Sequence, residues 1–308
     1  MIQFIIRKIF YSLLVLIGVI TVTFFINFVL PGDPARLMLG QRADAASVES
    51  LRKQLGLDQP AFIQYFSYLG RLSKGDLGRS YSTNRDVLET ISDRFPATAL
   101  LAFTSMAVAT FLGIGLGVLS SLKPQSIFDT TAMSVALLGI SLPAFVVGLL
   151  IALLFGVVLD WFPISGYINK GWEYLTLPVI TLSLRPLSII ARVTRSSMLE
   201  VLHQDYIRTA KAKGLQTSKV IVKHALRNAL NPVITTVSAW FAGLLAGTFF
   251  VEYIFNWPGI GTVTLNAIEK LDYPMIQGTV LFTAVIFVAV NLIVDIIYSF
   301  VDPKVKLS

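Results

Sequence analysis

The sequence predicts an all-α, polytopic membrane protein with six transmembrane helices, and three observations carry that prediction. Six apolar runs are each long enough for the roughly 20 residues that a bilayer core requires. Of 308 residues, 55% are apolar and only 14% charged, far from the balance of a soluble domain. Lysine and arginine crowd the segments on one side of these runs and almost avoid the short loops on the other.

In chain order the runs cover residues 9–30, 97–122, 130–159, 175–193, 232–251 and 275–301. The first follows Arg7-Lys8 and is too long for the apolar part of a signal peptide, with no small-residue cleavage site before Pro31, so it reads as an uncleaved anchor. The third contains Pro143, which frees a backbone carbonyl and marks a flexing point. The fourth is the weakest, because Arg185 and Pro186 interrupt it. Gly113 and Gly117 in the second run, and Gly243 and Gly247 in the fifth, are spaced for close helix packing in lipid.

Orientation follows from the short loops. With the N-terminus inside, the inner side holds Arg7, Lys8, Lys123, Lys304, Lys306 and the basic residues from Arg185 to Arg227, while the short outer loops hold only Lys170 and Lys270. Both termini are therefore expected in the cytoplasm. The net charge of +7 is a membrane-orientation signal and not a nucleic-acid footprint, since the charges flank apolar spans. Three regions result: 1–30, the N-terminal segment and first span; 31–95, a small extracytoplasmic helical insert; and 96–308, a five-helix core with a cytoplasmic loop over 200–230. In the insert, 46–55 and 61–72 have helical apolar spacing on either side of Gly56-Leu-Asp-Gln-Pro60.

Several chemistries are excluded. The absence of cysteine removes disulfides, thiolate metal sites and cysteine nucleophiles. There is no phosphate-binding Gly-x-x-x-x-Gly-Lys-Ser/Thr loop, and His203 and His224 lack metal-ligand spacing, so neither cofactor nor metal is expected. Ser50-Leu-Arg-Lys53 matches a Ser-x-x-Lys motif without partner motifs and reads as chance. Asp295, with Asn291 and Tyr298 on about the same helical face, is the acid read as lying well inside a span, a candidate intramembrane functional pair with Asn291. A hydrogen-bonded packing role for it outweighs a proton relay, because no basic partner accompanies it.

The most informative stretch is polar yet lies between two apolar runs: Asp205, Tyr206, Ile207, Arg208, Thr209, Ala210, Lys211, Ala212, Lys213, Gly214 and Leu215. Leu202, Tyr206, Ala210 and Gly214 recur every four residues and are expected to share one stripe, with Ala210 and Gly214 admitting a close approach by another surface. Thr217 or Ser218 is expected to cap a second helix. This pair of short helices around a glycine resembles the EAA loop of permease subunits of ATP-binding-cassette importers. Arg208, Thr209 and Ala210 stand in the Glu-Ala-Ala slot; Gly214 and Leu226 match; His224 and Arg227 replace the usual Ile and Pro. The form is that of the peptide and nickel branch. Pro31-Gly-Asp-Pro34, Leu55-Gly-Leu-Asp58, Gln64-Tyr65, Gly75-Asp-Leu-Gly78, Asn256-Trp-Pro-Gly-Ile-Gly261 and Asp302-Pro303 extend the resemblance over nearly the whole chain.

That resemblance implies a non-catalytic transport subunit in the bacterial inner membrane. It also implies a second homologous permease subunit, two cytoplasmic ATPase subunits that the 205–215 stretch docks as a coupling helix, and an extracytoplasmic solute-binding protein. Peptides are the expected cargo, with nickel or glutathione as alternatives. A secondary transporter coupled through Asp295 is the rival from another class, and an intramembrane hydrolase lacks any paired nucleophile and base.

Overall fold

The computed structural model describes residues 2–29, 32–40, 43–246 and 248–301, the side chains of residues 2–5, 27, 29, 37 and 295–301 excepted. Among the described residues there is no strand, and the helices run in the order α1 (Ile2–Val29), α2 (Pro34–Leu39), α3 (Ala45–Leu55), α4 (Ala61–Leu72), α5 (Val87–Leu122), α6 (Ile127–Ser141), α7 (Ala144–Ile151), α8 (Glu173–Leu202), α9 (Asp205–Ala212), α10 (Thr217–Lys219), α11 (Arg227–Ala246), α12 (Phe249–Ile254), α13 (Ile260–Glu269) and α14 (Tyr273–Val301). A π-helical stretch, Ala152–Val158, prolongs α7, and another, Val220–Leu226, joins α10 to α11. Among the described residues five helices are long and apolar enough to cross a membrane, up to six if α6 and α7 with its prolongation count as one span.

The short helices start where their sequences cap them. Asp33 accepts the Ala35 amide at the head of α2 with Pro34 in its first turn, Asp44 accepts the Ser47 amide at α3, and Ser126 accepts the Asp129 amide at α6. α3 stops at Gly56, whose φ of 68° is left-handed and lets the next amide, that of Leu57, bond back to the Arg52 carbonyl.

The long helices depart from the expected bounds, and each departure has a cause. The second span was expected from residue 97, yet α5 begins at Val87, because a helix does not end where the lipid does. Its polar first turns are held by Arg85, which bonds Glu89 at 3.1 Å and Asp93 at 3.0 Å, and Pro96 is absorbed within it. The third span is broken, not merely flexible. Leu142 is extended ahead of Pro143, as a residue before proline prefers, and α6 and α7 with its prolongation meet at 107°. The fourth reaches from Glu173 to Leu202, so Arg185, Arg192 and Arg195 lie inside a helix instead of beside the basic loop; the loop keeps Arg208, Lys211, Lys213, Lys219, Lys223 and Arg227, and the charge asymmetry survives. The fifth starts at Thr217, not 232, with Pro232 in the helix interior. Its N-cap is Gln216 without a side-chain bond, so neither Thr217 nor Ser218 caps it. Pro31, Gly247 and the Asp302-Pro303 motif lie outside the described residues.

The chain divides into two compact units. The first comprises residues 1–98 and 258–308, with a core of Val87, Ile91, Ile260, Ala267, Met275 and Ile276. There, Phe24 of α1 packs against Tyr65 and Tyr68 of α4, and Thr21 shares a 2.7 Å hydrogen bond with the Tyr65 hydroxyl. The second, residues 99–257, is organised on α8, against which α6, α7 and α11 pack. Gly113 and Gly117 do what their spacing predicts: a Cβ on Gly117 would lie 2.5 Å from Thr194 and 2.6 Å from the Ala191 carbonyl, so α5 touches α8 almost backbone to backbone. Gly243 has no such neighbour; nothing lies within 4 Å of where its Cβ would be.

Candidate functional site

The polar stretch singled out in the sequence folds as α9 and its flanking turns, between the end of α8 and the start of α10. α9 closes on Gly214, at φ 74°, whose amide bonds the Lys211 carbonyl at 2.9 Å while the Leu215 amide reaches back to Ala210 at 3.4 Å. The left-handed turn is why glycine stands there. A Cβ at this position would meet nothing within 4 Å, so the space beside Gly214 is open.

The expected stripe is not the one observed. Ile207 is fully buried and Ala210 nearly so, packed with Met198 of α8 and with Val220, Ala225 and Ala229 of the following helix. Ala210 therefore serves the loop's own core, not a close approach by a partner. Asp205, Tyr206, Arg208, Thr209, Lys211, Ala212, Lys213 and Gly214 are the exposed residues, with Leu215 half-buried. Tyr206 accepts a 2.8 Å bond from the Asn228 side-chain amide, tying the outer face of α9 to α11. Arg208 lies 3.7 Å from Asp205, an exposed pair that adds little stability. His203 sits over the Leu199 carbonyl at 2.6 Å, at the α8 terminus; among the described residues no group of three or more His, Cys, Asp or Glu side chains is placed to hold a metal ion. The outer face is basic, with Arg208, Lys211 and Lys213 exposed, and the inner face shares one core with the end of α8 and the π-helical stretch.

Asn291 donates 2.8 Å to the Phe287 carbonyl of its own helix; the side chains of Asp295 and Tyr298 lie outside the described residues. Sequence reading passed over three other acids. Asp129 stood one residue before the expected third span; it is buried and accepts two bonds from Arg195, at 2.5 and 2.6 Å, joining α6 to α8. Glu252 stood one residue beyond the expected fifth span; it is fully buried and accepts from Thr248 at 2.8 Å. Asp272, in the first unit, is 1% exposed and accepts from the Ser80 and Ser82 hydroxyls and from the amides of Tyr81 and Ser82, pinning the 80–82 turn to the head of α14. The i,i+4 pairing of Thr248 with Glu252 and the Ser126-x-x-Asp129 helix start leave traces in sequence; the partners of Asp129 and Asp272 far along the chain do not.

Each unit contains a cavity. In the first, about 880 Å³ is walled by Arg52, Lys53, Arg71 and Arg79 together with Tyr68 and Tyr81. Burial pushes both tyrosine hydroxyls up to about 12, so both remain hydrogen-bond donors at neutral pH. In the second, about 350 Å³ opens where α6 and α7 break apart, between α8 and α11, with Arg185 in its wall.

Comparison with known proteins places these features in a context. Residues 113–307 match the family described as binding-protein-dependent transport system inner membrane component, and residues 1–102 match the N-terminal part of such components. A dipeptide transport system permease protein of Alkalihalophilus pseudofirmus is 41% identical over 332 aligned residues, covering 99% of this chain and all of that protein. A glutathione transport system permease protein of Escherichia coli is 39% identical over 306 residues, covering 99% of each chain. Among solved structures, a chain of the MetNI methionine ABC transporter in an inward-facing form has a TM-score of 0.57 at 16% identity, over 70% of this chain and 97% of that one, a likeness of fold.

Proposed function

The chain belongs to the binding-protein-dependent transport inner-membrane components, the permeases of ATP-binding-cassette importers, and from that membership we propose that it forms half of a translocation path for peptides. It is a multi-pass protein of the bacterial inner membrane. The other half is a second homologous permease, energy comes from two cytoplasmic ATPase subunits, and an extracytoplasmic binding protein delivers the cargo. This chain breaks no covalent bond. The whole-length identity to permeases named for dipeptide and glutathione carries the reading, since both cargoes are peptides.

The mechanism proposed is alternating access. ATP-driven closure of the ATPases displaces the exposed face of α9. Because Ile207 and Ala210 are embedded between α8 and α11, the two helices tilt with it. The test is purification of the four-subunit complex and measurement of ATP hydrolysis stimulated by peptide-loaded binding protein. A chain that copurifies with no ATPase, or whose complex ignores every peptide, refutes it.

Topology gives a separate prediction. Cysteines placed at Gln59 and Thr217, both exposed, are unique thiols in this chain. An impermeant reagent on intact cells is expected to label Gln59→Cys and spare Thr217→Cys. Were α6 and α7 a re-entrant hairpin and not a bent span, the two sites would face the same side and label alike.

A further inference from the structure

The most telling group that the reading so far leaves unused is Arg185. α8 is 30 residues long, and at a rise of about 1.5 Å per residue Arg185 lies about 18 Å from one end and about 26 Å from the other, in the middle of the span. Guanidinium stays ionised at any pH the cell meets, and a cation at that depth is costly unless something polar receives it. Yet Arg185 is exposed in the isolated chain, and no carboxylate among the described residues pairs with it; Asp129, the buried acid beside α8, is taken by Arg195. Among the described residues the guanidinium carbon lies over the ring of Trp240 on α11, 5.7 Å from its centroid.

That contact leaves the edge of the guanidinium unused. A cation–π contact at that distance occupies none of the guanidinium N–H groups, which stay available to take a carboxylate with two parallel bonds. The cavity beside it, about 350 Å³, falls in the range of small-ligand sites, and its walls are chiefly apolar, so an ion pair formed there is little screened. Two local features keep it open: the break at Leu142-Pro143, and Gly243, which contributes no side chain. A third supplies the complement of the cation. Pro186 has no N–H, so the Leu182 carbonyl lacks its helical donor, and both residues line the cavity.

We propose that Arg185, held over the Trp240 ring, is a binding residue on the transport route that takes the C-terminal carboxylate of the passing peptide, with the Leu182 carbonyl as acceptor for a peptide N–H. This rests on the peptide reading above and sharpens it, because the site attracts a carboxylate and repels a bare divalent cation.

The test uses the complete transporter in proteoliposomes. Arg185→Gln is expected to lower uptake of dialanine from its binding protein at least ten-fold with the subunits still copurifying, and Arg185→Lys to fall between that variant and the parent, because lysine keeps the charge but not the two parallel bonds. A second readout uses Gly243→Cys, the chain's only thiol, on the cavity wall. Dialanine is expected to slow its alkylation, the C-terminal amide of dialanine is not, and Arg185→Gln abolishes the protection. Uptake by Arg185→Gln within two-fold of the parent overturns the proposal. So does equal protection by dialanine and its amide, the result expected if Arg185 meets a carboxylate of the second permease or a lipid headgroup. If the unsubstituted transporter imports no peptide at all, the peptide reading itself falls and takes this site with it; failure confined to the Arg185 and amide comparisons leaves that reading standing.

Discussion

Asp129→Ala is expected to cost roughly 3 kcal/mol of stability, the lower end of what removing one partner of a buried ion pair costs. The lower end applies because Arg195 keeps 26% of its side chain exposed while Asp129 keeps 3%. The loss has two parts: Arg195 is left with no counter-charge beside an apolar helix interface, and the Gln125 amide, which donates 2.8 Å to Asp129, loses its acceptor. The check is the temperature at which the purified chain aggregates from detergent, and a fall of several degrees is expected. Asp129→Leu combined with Arg195→Met should recover most of it, since an apolar pair of similar volume avoids desolvating any charge. A single Asp129→Ala variant as stable as the parent would mean that the pair holds nothing together.

Spans were located by where charge stops, and Asp129 therefore marked the edge of a run, 66 residues from a partner that looked like part of a basic loop. Glu252 was lost in the same way at the other boundary. What hydropathy conveys is the presence of spans, because twenty apolar residues have few alternatives to lipid. It does not convey where a helix ends. Arg85 with Glu89 and Asp93 carries α5 nearly three turns beyond the apolar run, and Gln216 starts the fifth long helix well before its own. Pro143 was visible as a weak point, but the 107° bend depends on tertiary packing that a single proline does not specify.

The polar loop shows the same limit at finer scale. Its two short helices and the glycine between them were legible, while the left-handed turn at Gly214, at φ 74°, is supplied by the structure. The face was not. A four-residue stripe through Leu202, Tyr206, Ala210 and Gly214 assumes one continuous helix, whereas α8 ends at Leu202, α9 begins at Asp205, and Gly214 lies past its end. Periodicity does not carry across helix ends. Within α9 itself the inward pair is Ile207 and Ala210, three apart, and both turn to the π-helical stretch that follows.

That separation of faces makes Gly214→Glu the sharpest probe of coupling. A side chain at Gly214 meets open space, so the substitution disturbs no contact in this chain; it adds only the strain of a left-handed backbone, about 1–2 kcal/mol. Gly214→Ala bears the same strain without bulk or charge. The glutamate variant is expected to lose copurifying ATPase subunits and at least ten-fold of the substrate-stimulated hydrolysis, while the alanine variant keeps most of both. Arg208→Ala and Lys211→Ala, which remove exposed charges, should change affinity by about 0–1 kcal/mol each. Ala210→Phe separates the two faces: it overpacks the core shared with Met198 and Ala225, costs about 1–3 kcal/mol of stability, and should lower the yield of folded chain as well as coupling. Should Gly214→Glu couple as well as the parent while Ala210→Phe alone fails, α9 is a structural strut of this subunit and the ATPases dock elsewhere.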